Sequence, residues 1–216
     1  MPDATIARII SGYDSHIIKA YCWGRFKILH QQFLEEIGQY LPEQGRVLDM
    51  GCGFGLFSLY YAARCPGLLI TGIDVNEARI QIATRAAAAL CLENVRYEVG
   101  DVSTYDGGRA LDGAYMLDIV HHVPPAAVRP LVRKLYSLLS PGARLLIKDV
   151  KADPVCKRWF TYLLDKLVDL KAPLHYWHEA ELLHLLSAEG FETFRHTMVD
   201  ILPYPHILYV CQKRQL

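Results

Sequence analysis

The sequence lacks several features that would place the chain in a particular class. No apolar run approaches the roughly 20 residues that cross a membrane. Residues 1–5 show no basic segment followed by an apolar stretch, so we expect neither a transmembrane helix nor a secretion signal. The chain also lacks an excess of charge, because 23 Lys and Arg balance 23 Asp and Glu. This balance argues against a nucleic-acid partner, for which a basic face is usual.

Paired cysteines and a metal-ligand set are absent as well. None of the six cysteines forms a C-x-x-C pair. Scattered cysteines without a secretion signal fit a reducing compartment, so we expect the cytoplasm. His175 and His178 stand three residues apart, but no cysteine or acid completes a recognisable ligand set, and we predict no metal.

What is present is a 216-residue chain with 52% apolar residues, enough for a single α/β domain with a sizeable core. The spacing of apolar residues predicts helix over 5–41, broken at Gly12 and Gly24. After it, strands and helices alternate, which predicts a doubly wound parallel sheet. Two late strands without a helix between them suggest an antiparallel pair. The predicted strands are 46–50, 68–74, 95–99, 111–117, 143–150, 191–199 and 207–212; a turn is predicted at 140–142, and the later helices are 77–90, 125–139, 154–170 and 178–189.

A glycine-rich turn follows the first predicted strand. Val47-Leu48-Asp49-Met50 leads into Gly51-Cys52-Gly53-Phe54-Gly55, and a helix is expected from Leu56 onward. Such a strand–turn–helix passage exposes backbone N–H groups, and glycine allows a ligand to approach them. Dinucleotide-binding proteins carry G-x-G-x-x-G, whereas here Leu56 takes the place of the third glycine. The pattern therefore argues against NAD.

Acidic residues stand at the ends of four predicted strands, where ligands of such sheets bind. Asp74 suits a ribose diol, and Asp101 suits the exocyclic amine of a base, with the Val102 N–H meeting a ring nitrogen. Asp49 could face a positively charged amino or sulfonium group. Asp118 follows the fourth strand. Each acid alone is also explained as a helix N-cap, but the set indicates a cationic nucleoside.

These motifs resemble the class I S-adenosylmethionine-dependent methyltransferases. The resemblance rests on 47–55, Thr71-Gly72-Ile73-Asp74, Gly100-Asp101-Val102, 117–123 and 139–143. It implies a Rossmann-like, seven-stranded, mostly parallel sheet whose last strand is antiparallel. It also implies S-adenosyl-L-methionine as cofactor and S-adenosyl-L-homocysteine as product. The implied cofactor-binding residues are Asp49, Gly51, Cys52, Gly53, Asp74, Val75, Asp101, Val102, Leu117 and Asp118.

Two histidines follow the fourth strand, where this family places its active site. An oxygen acceptor must lose a proton, and histidine is the side chain best suited to take it near neutral pH. His122 is the preferred base candidate over His121. The alternative is that both are packed or capping residues ahead of the helix that starts near Pro125.

Two further segments are candidates for the acceptor site. Residues 1–44 are expected to form an N-terminal helical lid with Tyr13 and Tyr21, or an ordinary packed helix, while 45–216 form the methyltransferase domain. The predicted helix 154–170 carries Trp159 beside basic residues on an amphipathic face. That face suits an apolar substrate, peripheral contact with lipid, or the core.

The preferred function is methyl transfer to a small molecule of apolar or aromatic character, because the chain has 13 tyrosines and three tryptophans. Whether oxygen, nitrogen or carbon is methylated stays open, as does the oligomeric state. The alternatives are a non-catalytic S-adenosylmethionine-binding module and a nicotinamide-dependent oxidoreductase. A nucleic-acid methyltransferase is disfavoured, because its Asn/Asp-Pro-Pro-aromatic motif is missing after the fourth strand.

Overall fold

The computed structural model describes residues 4–107, 110–150, 175–198 and 206–214. These residues fall into two compact units, one ending at Ala114 and the other beginning at Tyr115. The first unit contains helices α1 (Ala4–Ser11), α2 (His16–Ile28), α3 (Gln31–Gly38), α4 (Leu56–Arg64) and α5 (Glu77–Ala89), and strands β1 (Gly45–Met50), β2 (Leu68–Asp74) and β3 (Val95–Val99).

Strand β4 (Leu111–Leu117) crosses the boundary between the units. The second unit then contains a 3₁₀ turn (Val120–His122), helices α6 (Pro125–Leu138) and α7 (Glu179–Ala188), and strands β5 (Leu139–Val150), β6 (Phe191–Thr197) and β7 (His206–Lys213). The order of the strands in the sheet is β3-β2-β1-β4-β5-β7-β6.

The pairing of the strands confirms the predicted fold class. In the first unit, β2 pairs in parallel with both β1 and β3. In the second unit, β7 runs antiparallel to both β5 and β6. The chain therefore forms the expected Rossmann-like, seven-stranded, mostly parallel sheet with an antiparallel last strand.

Each unit has its own apolar core. In the first, Val47 and Leu48 of β1 and Leu59 of α4 are fully buried. In the second, Leu146 of β5 and Val210 of β7, which are register partners, are fully buried. Burial on both faces explains why these strands read as continuous apolar runs rather than as alternating patterns.

The N-terminal helices differ from expectation at one glycine. The break after α1 falls at Gly12 as predicted, but Gly24 lies inside α2, which runs on to Ile28. The second break comes at Leu29, whose N–H still bonds to the carbonyl of Arg25, and His30, which precedes α3. Gly24 is tolerated because a helix absorbs a single glycine at a cost of about 1 kcal/mol relative to alanine.

Replacing that glycine gives a stability prediction. A Cβ added at Gly24 meets no atom within 4 Å, so Gly24→Ala should raise the free energy of unfolding by about 0.5–1 kcal/mol, measured by urea denaturation. Gly12→Ala is the contrasting variant, since its Cβ would lie 2.7 Å from Cγ of Leu90. A loss of stability from Gly24→Ala would contradict the assignment of Gly24 to a helix interior, and an equal gain from both changes would contradict the crowding at Gly12.

Strand β5 begins earlier than predicted. The sequence predicted a turn at 140–142 and a strand from Ala143, whereas the strand begins at Leu139. Gly142 has a φ of 81° within it. The carbonyls of Leu139 and Gly142 accept hydrogen bonds from the side chains of Lys213 and Gln212. These contacts from the end of β7 hold an extended path that local turn propensity did not indicate.

The predicted helix 154–170, and with it Trp159, lies outside the described residues. Among the helices that the structure does describe, none combines the length and the apolar character needed to cross a membrane.

Candidate functional site

The glycine-rich turn of the first unit connects β1 to α4 in a conformation that alternate glycines make accessible. Gly51, Gly53 and Gly55 have φ values of 72°, 54° and 77°, a region that residues with a Cβ rarely adopt. The N–H groups of Gly51 and Cys52 both donate to the carbonyl of Ile73 at the end of β2. The G-x-G-x-G pattern is thus a requirement of the backbone at this turn.

The glycines of this turn differ in what surrounds them. A Cβ at Gly55 would lie 2.4 Å from the hydroxyl of Tyr97, so this position must stay bare for packing. Tyr97 also donates a hydrogen bond to the carbonyl of Gly55. A Cβ at Gly53, by contrast, would meet no atom within 4 Å. Gly53 therefore presents bare backbone to open space, where a ligand can approach it.

Asp74 links the glycine turn to the end of β2. One carboxylate oxygen accepts the N–H of Gly53 and the other accepts the N–H of Asn76, both at 2.9 Å. Each oxygen has a second lone pair, so the carboxylate retains capacity for further donors such as a diol. Val75, the next residue, is 72% exposed beside it.

A pocket of about 200 Å³ opens at the ends of β2 and β3. One oxygen of the predicted residue Asp101 accepts the N–H of Ser103 at 2.7 Å, and this bond lowers the pKa of the Asp101 carboxyl. Asp101 is therefore ionised throughout the neutral range. The side chain of Val102, the next predicted residue, is buried. The pocket is lined by Ile73, Glu98, Val99, Gly100, Asp101, Thr104, Tyr105 and Asp106.

Most of these lining residues were not predicted from the sequence. The available signal was positional, because Val99 ends β3 beside Asp74, which ends β2, and Gly100 comes directly after Val99. The N–H of Gly100 donates to the carbonyl of Asp74. This bond joins the pocket to the glycine turn within one unit.

The other two predicted side chains of this unit, one in β1 and one in the glycine turn, are buried. Asp49 is 3% exposed and Cys52 is 8% exposed. Burial raises the pKa of the Cys52 thiol well above its usual range, and the charges of Asp49 and Asp74 add to the effect. Cys52 therefore stays a neutral thiol, which suits a small packing residue rather than a nucleophile.

The N-terminal segment contacts the glycine turn directly. The hydroxyl of Tyr13, which follows α1, donates to the carbonyl of Phe54 at 2.9 Å. The ring of Tyr21 on α2 meets the ring of Phe54 edge-on, with centroids 5.3 Å apart. The guanidinium of Arg79 lies 5.6 Å from the same ring. Both predicted tyrosines thus contact Phe54, and neither contact was predicted from the sequence.

The Tyr13 contact gives a prediction about ligand affinity. Tyr13→Phe removes one hydrogen bond from the glycine turn, so the affinity for S-adenosylhomocysteine should fall about fivefold, corresponding to about 1 kcal/mol. Tyr61→Phe is the matched control, since the Tyr61 hydroxyl donates to the carbonyl of Leu34 at the same 2.9 Å. Calorimetry should show a loss of affinity for the first variant and unchanged affinity for the second.

In the second unit, Asp118 forms a buried ion pair. Its carboxylate lies 2.5 Å from Nζ of Lys148, which is 1% exposed. Its N–H donates to the carbonyl of Lys148, and its φ is 59°, unusual for a residue other than glycine. Backbone strain of this kind is most often found at functional sites. Leu117, the preceding predicted residue, is buried.

The two predicted histidines differ in their surroundings. His121 is 1% exposed, and its Nδ1 lies 2.5 Å from a carboxylate oxygen of Asp149. The ring of Tyr176 stacks on the His121 ring, with centroids 5.5 Å apart, and the N–H of His175 donates to the carbonyl of His121. His122 is half-buried, with its ring centroid 4.2 Å from that of His121. The carboxylate contact was not predicted.

Comparison with known proteins identifies the family. A sequence model of the methyltransferase domain matches residues 13–196. The chain belongs to the methyltransferase domain family. Within that family it is a class I, S-adenosylmethionine-dependent type, as the sequence motifs predicted and the strand order supports.

Similar proteins include several methyltransferases. The ubiquinone biosynthesis O-methyltransferase of Coxiella burnetii is 31% identical over 133 residues, which cover 59% of this chain and 54% of that protein. The trans-aconitate 2-methyltransferase of Variovorax paradoxus is 32% identical over 136 residues, covering 62% and 48%. The chain thus spans about half the length of these relatives.

A solved structure shares the fold of this chain. The magnesium protoporphyrin IX methyltransferase of Synechocystis, crystallised with S-adenosylhomocysteine, is 20% identical with a TM-score of 0.66. The match covers 97% of this chain and 92% of that protein. At this level of identity the likeness concerns the fold.

S-adenosylmethionine is the cofactor of this family, and the residues of the first unit fit it. The group combines a ribose diol, an adenine with one exocyclic amine and a positively charged sulfonium. Asp74 has spare acceptor capacity, Asp101 is ionised at the rim of an open pocket, and Gly53 has space above it.

Proposed function

We propose that this methyltransferase transfers the methyl group of S-adenosylmethionine to a small molecule of apolar or aromatic character. The observation that carries the proposal is the Asp74 carboxylate, which is bonded to the N–H of Gly53 in the open glycine turn. This arrangement supports the proposal, because a carboxylate suited to a sugar diol lies beside backbone that a ligand can approach. The cofactor supplies a methyl group already activated by the charge on sulfur.

The residues of the first unit divide the binding task among them. Asp74 would hold the ribose hydroxyls, and Asp101 would accept from the adenine amine at the rim of its pocket. Ile73 and Val99 give that pocket apolar walls that suit the faces of a purine ring. Asp49, buried under the turn, favours a cationic group through its charge. In this proposal the methionine portion lies along 51–53.

The second unit, taken by itself, contains the remaining predicted residues, among them the two candidate bases. Leu117 is the last residue of β4, and the family resemblance assigns its backbone to the methionine portion. Asp118 follows it as a further predicted cofactor-binding residue. His121 and His122 come next and are the base candidates. Positioning of an acceptor against an activated methyl is the main source of rate in such a reaction, worth up to roughly 7–11 kcal/mol.

The small-molecule class of acceptor is supported by the relatives, whose names refer to ubiquinone biosynthesis and trans-aconitate. The apolar or aromatic character is our own extension from the tyrosine and tryptophan content. The described cysteines, 22, 52, 65, 91 and 211, are free thiols, which supports the expectation of a reducing compartment such as the cytoplasm.

We also propose that residues 1–44 act as a lid over the cofactor. The contacts of Tyr13 and Tyr21 with Phe54 support this role, because they tie the segment to the glycine turn. A lid excludes water and commits the substrate once it is bound. Because of these contacts, we expect closure of the lid and the conformation of the glycine turn to depend on each other.

A transfer experiment tests the proposed function. The purified chain, given S-adenosylmethionine with a labelled methyl group, is incubated with separate pools of phenols, carboxylates, amines and lipids. We expect label to move into one of the small-molecule pools in the wild type and in the control variant Glu93→Gln, whose acid is exposed. Asp74→Asn should lower the transfer about 100-fold at limiting S-adenosylmethionine. Binding of S-adenosylmethionine with no transfer to any pool would contradict the proposal in favour of a binding module.

A further inference from the structure

The pair formed by His121 and Asp149 is the feature of the second unit with the clearest chemical consequence. Nδ1 of His121 and a carboxylate oxygen of Asp149 are 2.5 Å apart, and both side chains are buried. Asp149 follows Lys148 at the end of β5, and His121 lies in the 3₁₀ turn after β4. Both are thus at carboxyl ends of strands, the edge at which sheets of this kind bind ligands.

The carboxylate determines which ring nitrogen carries the proton. An ionised carboxylate only accepts hydrogen bonds, so Nδ1 must be the donor, and in the neutral ring Nε2 is then the nitrogen with the lone pair. The same carboxylate stabilises the imidazolium that forms when Nε2 takes a proton. Because of this bond, His121 is better prepared than His122 to act as a base.

The surroundings of the pair limit its exchange with water. His121 is 1% exposed, with the Tyr176 ring stacked on it at an interplanar angle of 16° and the His122 ring on another side. Nearby, Asp118 is paired with Lys148. Asp149 is therefore the anion that stabilises the positive charge formed on His121 when it takes a proton.

We propose, resting on the proposed methyl transfer, that the acceptor group is a hydroxyl, that His121 is its catalytic base and that Asp149 is a positioning residue. The acceptor oxygen gives its proton to Nε2 of His121 and forms the new bond to the methyl carbon, whose former bonding electrons stay on sulfur. The products are a methyl ether, a neutral thioether and an imidazolium held by Asp149. An amine that is already unprotonated would need no such pair.

The test compares variants on acceptors of different acidity. His121→Gln and Asp149→Asn should each lower kcat about 100- to 10,000-fold for a weakly acidic hydroxyl, with KM for S-adenosylmethionine unchanged. The loss should shrink at least tenfold for an acidic phenol, and also as pH rises towards the pKa of the acceptor. A purely structural role would reduce activity equally on all acceptors and at all pH values. His184→Gln, at an exposed position of α7, is the control.

The outcomes separate this inference from the proposed function. If the wild type methylates amines or carbon acids but no hydroxyl, the inference fails and the proposed function stands. If the wild type transfers no methyl group to any acceptor, the proposed function fails as well. If acidity and pH rescue His122→Gln but not His121→Gln, the assignment of the base to His121 is overturned.

A measurement on the unmodified protein covers the case in which the variants do not fold. Nitrogen-15 NMR of histidine-labelled protein distinguishes the two neutral tautomers of each ring. We expect the resonances of His121, assigned by comparison with a histidine variant or by sequential assignment, to report a protonated Nδ1 and an unprotonated Nε2. The opposite tautomer would overturn the proposal, since Nε2 would then have no lone pair to offer.

Discussion

Asp74→Asn should weaken the binding of S-adenosylhomocysteine by at least 100-fold. The carboxylate of Asp74 already accepts the N–H groups of Gly53 and Asn76, so it is fixed in place before a ligand arrives. Hydrogen bonds to a charged group contribute about 1.5–3 kcal/mol each. Loss of two such bonds to a ribose diol therefore costs about 3 kcal/mol or more, which corresponds to about 100-fold in affinity. Isothermal titration calorimetry measures it directly.

The control for this variant lies two residues away. The side chain of Asn76 caps α5 by accepting the N–H of Arg79 at 3.1 Å. Asn76→Ala should cost about 1 kcal/mol of stability through the lost cap, with affinity for the ligand retained. If both variants lose affinity in proportion to their loss of stability, Asp74 acts only by ordering the turn, and its direct role in binding would be refuted.

Lys148→Met should lower the free energy of unfolding by about 3–5 kcal/mol. Lys148 is 1% exposed and its ammonium lies 2.5 Å from the Asp118 carboxylate. Removing one partner of a buried ion pair leaves the other charge in surroundings of low polarity, which is far more costly than losing a surface pair. Urea denaturation of the wild type and the variant measures the difference.

Two further variants define the cause of that loss. Lys148→Met combined with Asp118→Asn removes both charges, and asparagine tolerates the φ of 59° found at residue 118. The double variant should regain at least half of the lost stability. Arg64→Met breaks the half-exposed pair with Glu35 at 3.4 Å and should cost less than about 1 kcal/mol. A double variant as unstable as Lys148→Met alone would show that packing, and not charge, holds Lys148 in place.

The parts of the site that could be predicted from the sequence are those fixed by the local backbone. Alternate glycines were predicted to form a turn because side chains rarely tolerate positive φ, and all three have it. Asp74 and Asp101 were predicted to lie at strand ends because apolar strands end just before them, and the structure places them there. The order of strands and helices followed from the same alternation of patterns.

The parts that could not be predicted depend on side chains brought together by strand pairing. His121 and Asp149 are 28 residues apart, and Asp118 and Lys148 are 30 apart. Tyr13 and the carbonyl of Phe54 are separated by 41 residues. No local sequence pattern indicates which acidic side chain contacts which basic side chain on another strand. Gly24 was misread for a related reason, since the packing of a helix outweighs the weak preference of one glycine.

The central claim is that the glycine turn and the acids of the first unit bind S-adenosylmethionine. Calorimetry on the folded chain tests it most directly, with S-adenosylmethionine, S-adenosylhomocysteine and NAD titrated in parallel. The account predicts saturable one-to-one binding of the first two ligands and none of NAD. Folded protein that takes up neither S-adenosylmethionine nor its demethylated product, or that binds NAD instead, would contradict it.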